Sequence, residues 1–362
     1  GFGYSLASPP RHGECGCLQA RGWEAIVSYR KISDNGFSLS APASISDVKP
    51  IIRAYGSALG IHGWYNGKTY GEIWGYRVDD LYTWDDFGLQ PGQWKQLEQL
   101  IATDKYGRYY QNVKGYASQG KITSGSAISG PGDVRFKDLN GDGMIDNGSQ
   151  LLTIKDADGN DVPGYGDLDV IGNTTPRYEY SFRVDLGWKG FDFSMFWQGI
   201  GQRSLWGGSA LTIPGFNSSD GAMAQAIAGN FWYETLDASG NVVDARYDAF
   251  YPRAHNLYSS GTGFNMQVND RYLLNMAYLR LKNVTLGYTI PEKITKKAFI
   301  DKLRVYVSFE NFLTFDKLRG LPIDVEEIPG YSYLNSSNYN SSRTGVGAPA
   351  FRSASFGVQL TF

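Results

Sequence analysis

The sequence predicts an all-β fold: an antiparallel transmembrane β-barrel segment with long extracellular loops. Three observations point there. Aromatic residues reach 15% and glycines number 45, a mixture that favours strands and turns over helices. Several segments alternate apolar and polar residues for longer than the usual strand of about 5–6 residues. The connections between them are either a few residues or very long, as at 201–275 and 316–350, which is the layout of an outer-membrane barrel.

The first strand pair is GWEAIVSYRKI followed by GFSLSAPASIS, turned by Ser33, Asp34, Asn35 and Gly36. The clearest strand is RYEYSFRVDLGW. Tyr178, Tyr180, Phe182, Val184, Leu186 and Trp188 share one face, and Glu179, Ser181, Arg183, Asp185 and Gly187 the other. Lys189 and Gly190 make a tight turn, after which Phe191, Phe193, Met195 and Trp197 repeat the pattern. Aromatic residues at the strand ends suit the two interfacial girdles of a membrane barrel. YLRLKNVTLGYTIP shifts its apolar phase near Asn283, which predicts a bulge. KLRVYVSFENFL and the terminal SFGVQLTF complete the series, for about eight strands and two further ambiguous ones. In the connections, 92–103 and 222–236 read as short amphipathic helices, 156–161 (DADGND) as a hairpin tip, and 335–349 as a mobile loop.

Other classes are narrowed by bulk properties. A net charge of −2 argues against nucleic-acid binding. No apolar run reaches the ~18 residues of a spanning helix, but strands of roughly 10 residues escape that test. Cys15 and Cys17, one residue apart, read as incidental loop residues. His12, His62 and His255 are scattered, and no carboxylate pair is singled out for acid–base work, so an enzyme is not expected.

One motif carries metal chemistry. In FKDLNGDGMIDNG, Asp138, Asn140 and Asp142 stand at positions 1, 3 and 5 of a calcium-type loop, and Gly143 at the sharp turn. Met144 would offer its carbonyl at position 7 and Asp146 would act through water at position 9. Position 12 is Ser149 rather than an acid, so Asp167, from GYGDLDVIGN, is the candidate to close the site around a structural Ca²⁺. The alternative is an Asx-turn loop that holds its shape without metal. A second cluster, 64–87, sets Trp64, Tyr65, Trp74, Tyr76 and Trp84 among acids, a composition suited to sugars or peptides or, equally, to girdle and loop packing.

Taken in order, RGWEAIVSYR, GEIWGYRVDDLY, GDVRFKDLNGDGMID, DLDVIGNTTPRYEYSF, WKGFDFSMFWQGIG, YLRLKNVTLGYTIP, VYVSFENFLTF and FGVQLTF resemble the C-terminal part of SusC/RagA-type, TonB-linked outer-membrane transporters. The resemblance covers nearly everything after about residue 20 and makes 1–362 one barrel portion. It implies a 22-stranded barrel with an internal plug in the cell outer membrane. It implies a SusD-like surface lipoprotein as lid, a TonB complex that reaches the missing N-terminal region, and import of oligosaccharides or peptides. It implies that the terminal aromatic strand, ending on Phe362, is read during barrel assembly and closes the wall. The family's D-L-N-G-D-G stretch maps to Asp138, Asn140 and Asp142, and its acid before V-I-G-N maps to Asp167. Since plug and first strands are lacking, the chain reads as a fragment that does not transport alone. The competing expectations are a soluble calcium-stabilised carbohydrate-binding or adhesin-like β-protein, and a glycosidase.

Overall fold

The computed structural model describes residues 16–56, 60–103, 109–111, 115–119, 122, 129–155, 159–208, 211–215, 223–254, 265–326 and 350–362. Seven long strands form one meander in which every neighbour is antiparallel: β1 (Gly16–Ile32), β2 (Ser38–Tyr55), β3 (Arg177–Trp188), β4 (Phe191–Gln202), β5 (Tyr278–Ile290), β6 (Lys302–Asp316) and β7 (Ser353–Thr361). The sheet is open, with β1 and β7 at its two edges. The expected strand series is therefore present as a wall of seven, and closure into a barrel is not seen.

The alternation read from the sequence sets the two faces of this wall. Phe182 lies opposite Trp197, Val184 opposite Met195 and Leu186 opposite Phe193. The row continues through Val284, Leu286 and Tyr288 to Val305, Val307 and Phe309, and on to Phe356 and Val358. Trp188, Phe191, Leu286, Phe315, Phe356, Val358 and Leu360 on these strands are all exposed, and no buried cluster forms against this face among the described residues. Rings gather at both ends of the row. Phe191 packs on Tyr288 at 4.5 Å by the short turns, while Trp197 stacks between Phe182 and Phe315 at 6.0 and 6.1 Å. The opposite face carries hydroxyls and ion pairs: Ser44 bonds Ser181, Thr285 bonds Ser308, and Arg304 donates to Asp192.

Local chemistry explains the joints. Lys189 (φ 49°) and Gly190 (φ 89°) both take positive φ, the two-residue turn whose twist matches the strands. A Cβ on Gly190 would meet the Thr289 carbonyl oxygen at 2.8 Å. Tyr178 also takes positive φ (55°) and is skipped in the β3–β4 register, so it leaves the apolar row that the sequence assigned to it. The bulge expected near Asn283 is present: the register shifts between Leu281 and Asn283, leaving Lys282 without a cross-strand partner on β6.

All three long connections leave the same end of the wall, and the turns at 33–37, 189–190 and 291–301 lie at the other. The long connections build a cap with its own core. Ile61, Tyr76, Val134, Ile145, Ile213, Ile227, Trp232, Tyr272, Leu274, Met276, Leu318 and Val325 are buried together. Short antiparallel ribbons frame it: Glu72–Tyr76 with Leu168–Asn173, Val78–Leu81 with Val134–Phe136, Ser204–Trp206 with Leu273–Asn275, and Tyr233–Leu236 with Val242–Arg246. The expected helix at 92–103 shrinks to Trp94–Glu98, followed by a strand at Ile101–Thr103. In place of the helix expected at 222–236, the described residues from 223 onward form a series of turns that Gly229 (φ 72°) ends, followed by the strand Tyr233–Leu236. The paired strands Thr153–Lys155 and Asp161–Pro163 flank the expected 156–161 hairpin tip, of which 156–158 lie outside the described residues. The 335–349 loop, Cys15 and His12 lie outside the described residues.

Wall and cap are joined by charge. Arg280 on β5 is buried, and its guanidinium reaches Asp324 at 2.9 Å and Glu326 at 2.6 Å. Lys282, freed by the bulge, adds a second cation to Glu326 at 2.9 Å. Asp324 also accepts from the Ala350 N–H at 3.1 Å, so both ends of the last connection meet there.

Candidate functional site

The cap holds both clusters singled out in the sequence. In the acidic loop, Asp138, Asn140 and Asp142 each accept from the loop's own backbone. Asp138 accepts from the N–H of Gly141 (2.6 Å) and of Gly143 (2.9 Å), Asn140 from that of Asp142 (3.0 Å), and Asp142 from that of Met144 (2.9 Å). Gly141 and Gly143 supply the positive φ that this curl needs (76° and 81°). Asp167 closes the loop from 21 residues beyond Asp146. One of its oxygens accepts from Leu139 (2.7 Å) and Asn140 (3.4 Å), and the other from Asp146 (2.6 Å). Its side chain is fully buried, and burial outweighs these three donors to push its carboxyl up to about 6. Burial raises Asp142 as well, with Asp146 and Asp138 adding to the effect.

These residues are hard oxygen donors on one curl, the chemistry Ca²⁺ favours. Yet both Asp167 oxygens already accept from backbone N–H groups, and among the described residues no three His, Cys, Asp or Glu side chains are set to hold a metal. As folded, this is a self-capped turn with a buried carboxylate at its centre.

The five aromatic candidates part company. Trp64 stays exposed and stacks on Tyr70 at 5.5 Å. Tyr65 donates to the Glu72 carboxylate, with the Lys68 ammonium 5.1 Å from its ring. Lys68 itself is buried and donates to the carbonyls of Ile61 and Gly63, and burial draws its pKa down. Trp74 is half-buried against Tyr165. Tyr76, 2% exposed and packed on Phe136 at 4.8 Å, is taken up by the core, so its ring is not presented to a ligand.

Trp84 belongs to a different constellation. Its ring meets Trp94 edge-on at 4.8 Å, Trp94 meets Trp232 at 6.0 Å, and Trp232 packs on Tyr247 at 5.5 Å. Glu234 fixes this run from one side, accepting from the Trp94 indole N–H (2.7 Å) and the Tyr247 hydroxyl (2.6 Å). Trp84, Trp232 and Tyr247 line a cavity of about 460 Å³ together with Asp80, Asp85 and Asp248. The sequence reading reached Trp84 but not Trp232 or Tyr247. The signal was present in FWYET and RYDAFYP, two aromatic clusters, one of which fell within the supposed helix.

No family model matches the chain. It is 28% identical over 297 residues to "TonB-dependent receptor P3" of Formosa agariphila, an alignment that takes in 78% of this chain and 25% of that receptor. Its fold matches a chain of the RagAB peptide transporter with a TM-score of 0.54 at 16% identity, covering 96% of this chain and 30% of that one. The RagAB peptide importer in its closed-closed state matches with a TM-score of 0.50, again at 16% identity, covering 96% of this chain and 30% of that one. The chain thus spans about a quarter to a third of the length of the proteins it matches. Sequence and fold agree: the chain is a TonB-dependent receptor homologue, folded like part of a RagAB transporter chain.

Proposed function

We propose that this chain forms part of the wall and cap of an outer-membrane, TonB-dependent transporter that imports oligosaccharides or peptides together with a SusD-like surface lipoprotein. One observation carries the reading: a seven-stranded wall with one uncovered apolar face and one polar face, whose long connections all leave one end. Hydrocarbon accepts the first face, and a water-filled lumen the second. A soluble β-protein would need a second layer over the apolar face, and none is formed among the described residues. The similar receptor and the RagAB fold support the same assignment. The chain makes and breaks no bond in this reading; selectivity resides in the cap and the lumen side chains.

Calcium is part of the proposal. Asp138, Asn140, Asp142, the Met144 carbonyl, Asp146 and Asp167 would turn oxygen lone pairs toward the ion. Calorimetric titration of the receptor with Ca²⁺ tests this: Asp142→Ala should abolish the binding heat, and an unchanged titration would remove calcium from the reading. The transport assignment is tested separately by fractionating expressing cells and comparing nutrient uptake with and without an active TonB complex. Recovery of the protein from the soluble fraction would overturn it.

A further inference from the structure

From the cavity between Trp84 and Tyr247 we infer a cap subsite for a cationic side chain, the lysine or arginine of a peptide; the inference rests on the import reading. The cavity of about 460 Å³ is rimmed by Asp80, Asp85 and Asp248, and no lysine or arginine lines it among the described residues. The nearest cations are held at the outer limit of ion pairing: Arg271 stands 3.9 Å from Asp80, and Arg246 stands 3.8 Å from Asp248. The side chains of Asp80 and Asp248 are largely solvent-exposed, so their charge is offered outward.

The aromatic wall supplies the second half of the site. Tyr247 is the ring on offer, 43% exposed, and its hydroxyl donates to Glu234, which enriches the ring that a cation would face. Trp84 and Trp232 are almost wholly buried and offer little ring surface. A sugar platform needs open ring faces and mixed donors and acceptors. This cavity has one exposed ring and charge of a single sign, which favours a cation.

The chain uses the same chemistry elsewhere in the cap. Arg253 sits 4.7 Å from the Trp94 ring centre and pairs with Asp133 at 2.7 Å. Arg135 lies over Tyr82 at 5.7 Å and Tyr116 at 4.1 Å and pairs with Asp86 at 3.0 Å. There the aromatic–carboxylate sites are filled by internal arginines. On the cavity side, Asp80 and Asp248 make only the longer arginine contacts and Tyr247 is partly exposed, which leaves room for a cation from outside.

The test uses outer-membrane vesicles carrying the complete receptor and three fluorescent pentapeptides that differ only in a central arginine, citrulline or glutamate. Citrulline keeps the shape of arginine and loses its charge. At low salt the arginine peptide should bind about tenfold more tightly than the citrulline peptide, the sum of modest charge and ring contributions. The double variant Asp85→Asn/Asp248→Asn should reduce that ratio to about threefold or less, and Tyr247→Leu should also lower it. Equal affinity for arginine and citrulline, no binding of either, or a ratio untouched by the double variant each overturns the subsite. Fractionation and TonB-dependent uptake, measured on the same strains, report on the import reading independently.

Discussion

Asp167→Asn isolates the closure of the acidic loop. The wild-type carboxylate is fully buried and uses both oxygens, one toward Leu139 and Asn140 and one toward Asp146. Asparagine keeps one acceptor and turns an NH₂ group toward the other N–H. Whichever way the amide points, a buried donor loses its acceptor, at a cost of about 1–3 kcal/mol. The surviving bonds lose their charge assistance, which removes roughly half their strength. Together these lower the free energy for opening the loop by about 2–3 kcal/mol, which corresponds to amide exchange some 30- to 150-fold faster. Hydrogen–deuterium exchange with mass spectrometry on the receptor in detergent, with EDTA present to exclude cations, reads this in peptides spanning 137–147. Peptides from the β3–β4 hairpin serve as the control, because they share no contact with the loop. Unchanged exchange at 137–147 would show that Asp167 does not clamp the loop, and the account of the turn given above would fail with it.

Three further outcomes follow from the wall and its junction with the cap. Leu286→Arg places a charge on the uncovered face and should destabilise the receptor in lipid vesicles by about 2–4 kcal/mol, whereas Ser194→Arg on the polar face should cost little; equal losses in urea unfolding would refute the face assignment. Arg280→Met leaves Asp324 without its strand-borne cation and weakens the hold on Glu326, and should release the 317–326 connection at a cost of about 3–5 kcal/mol, read as new proteolytic cleavage there. Adding Asp324→Leu to Arg280→Met should recover part of that loss, since the stranded charge is removed; no recovery would indicate that packing, not the ion pair, makes the junction.

The wall was legible because period-two alternation is a local signal. Phe182 to Trp188 and Phe191 to Trp197 declare their face, and Lys189–Gly190 declare their turn, within one stretch of chain. The phase slip at Asn283 likewise exposed the bulge. Asp167 could be tied to the acidic loop because the motif lacked an acid at its twelfth position. The cap was not legible in the same way. Its core joins Ile61, Val134, Ile213, Trp232, Leu274 and Val325, residues separated by long stretches and sharing no period. Apolar spacing at 222–236 suggested a helix, but Trp232 is claimed by the core and Tyr233 by a strand pairing with Arg246. Tyr178 fails for a comparable reason, since its positive φ breaks an alternation that its side chain would otherwise obey.

Among the described residues, the core of the cap is made almost entirely from residues of the connections, with Tyr278 on β5 and Ile200 on β4 the points of overlap. Cap and wall are therefore packed largely independently within one chain. If the proposed import reading holds, side chains of the cap can be exchanged without disturbing the strand ladder, and the ladder can adapt without altering the cap. A chimaera that grafts the connections of one homologue onto the strands of another, joined at the Arg280 ion pairs, would keep both packing systems whole.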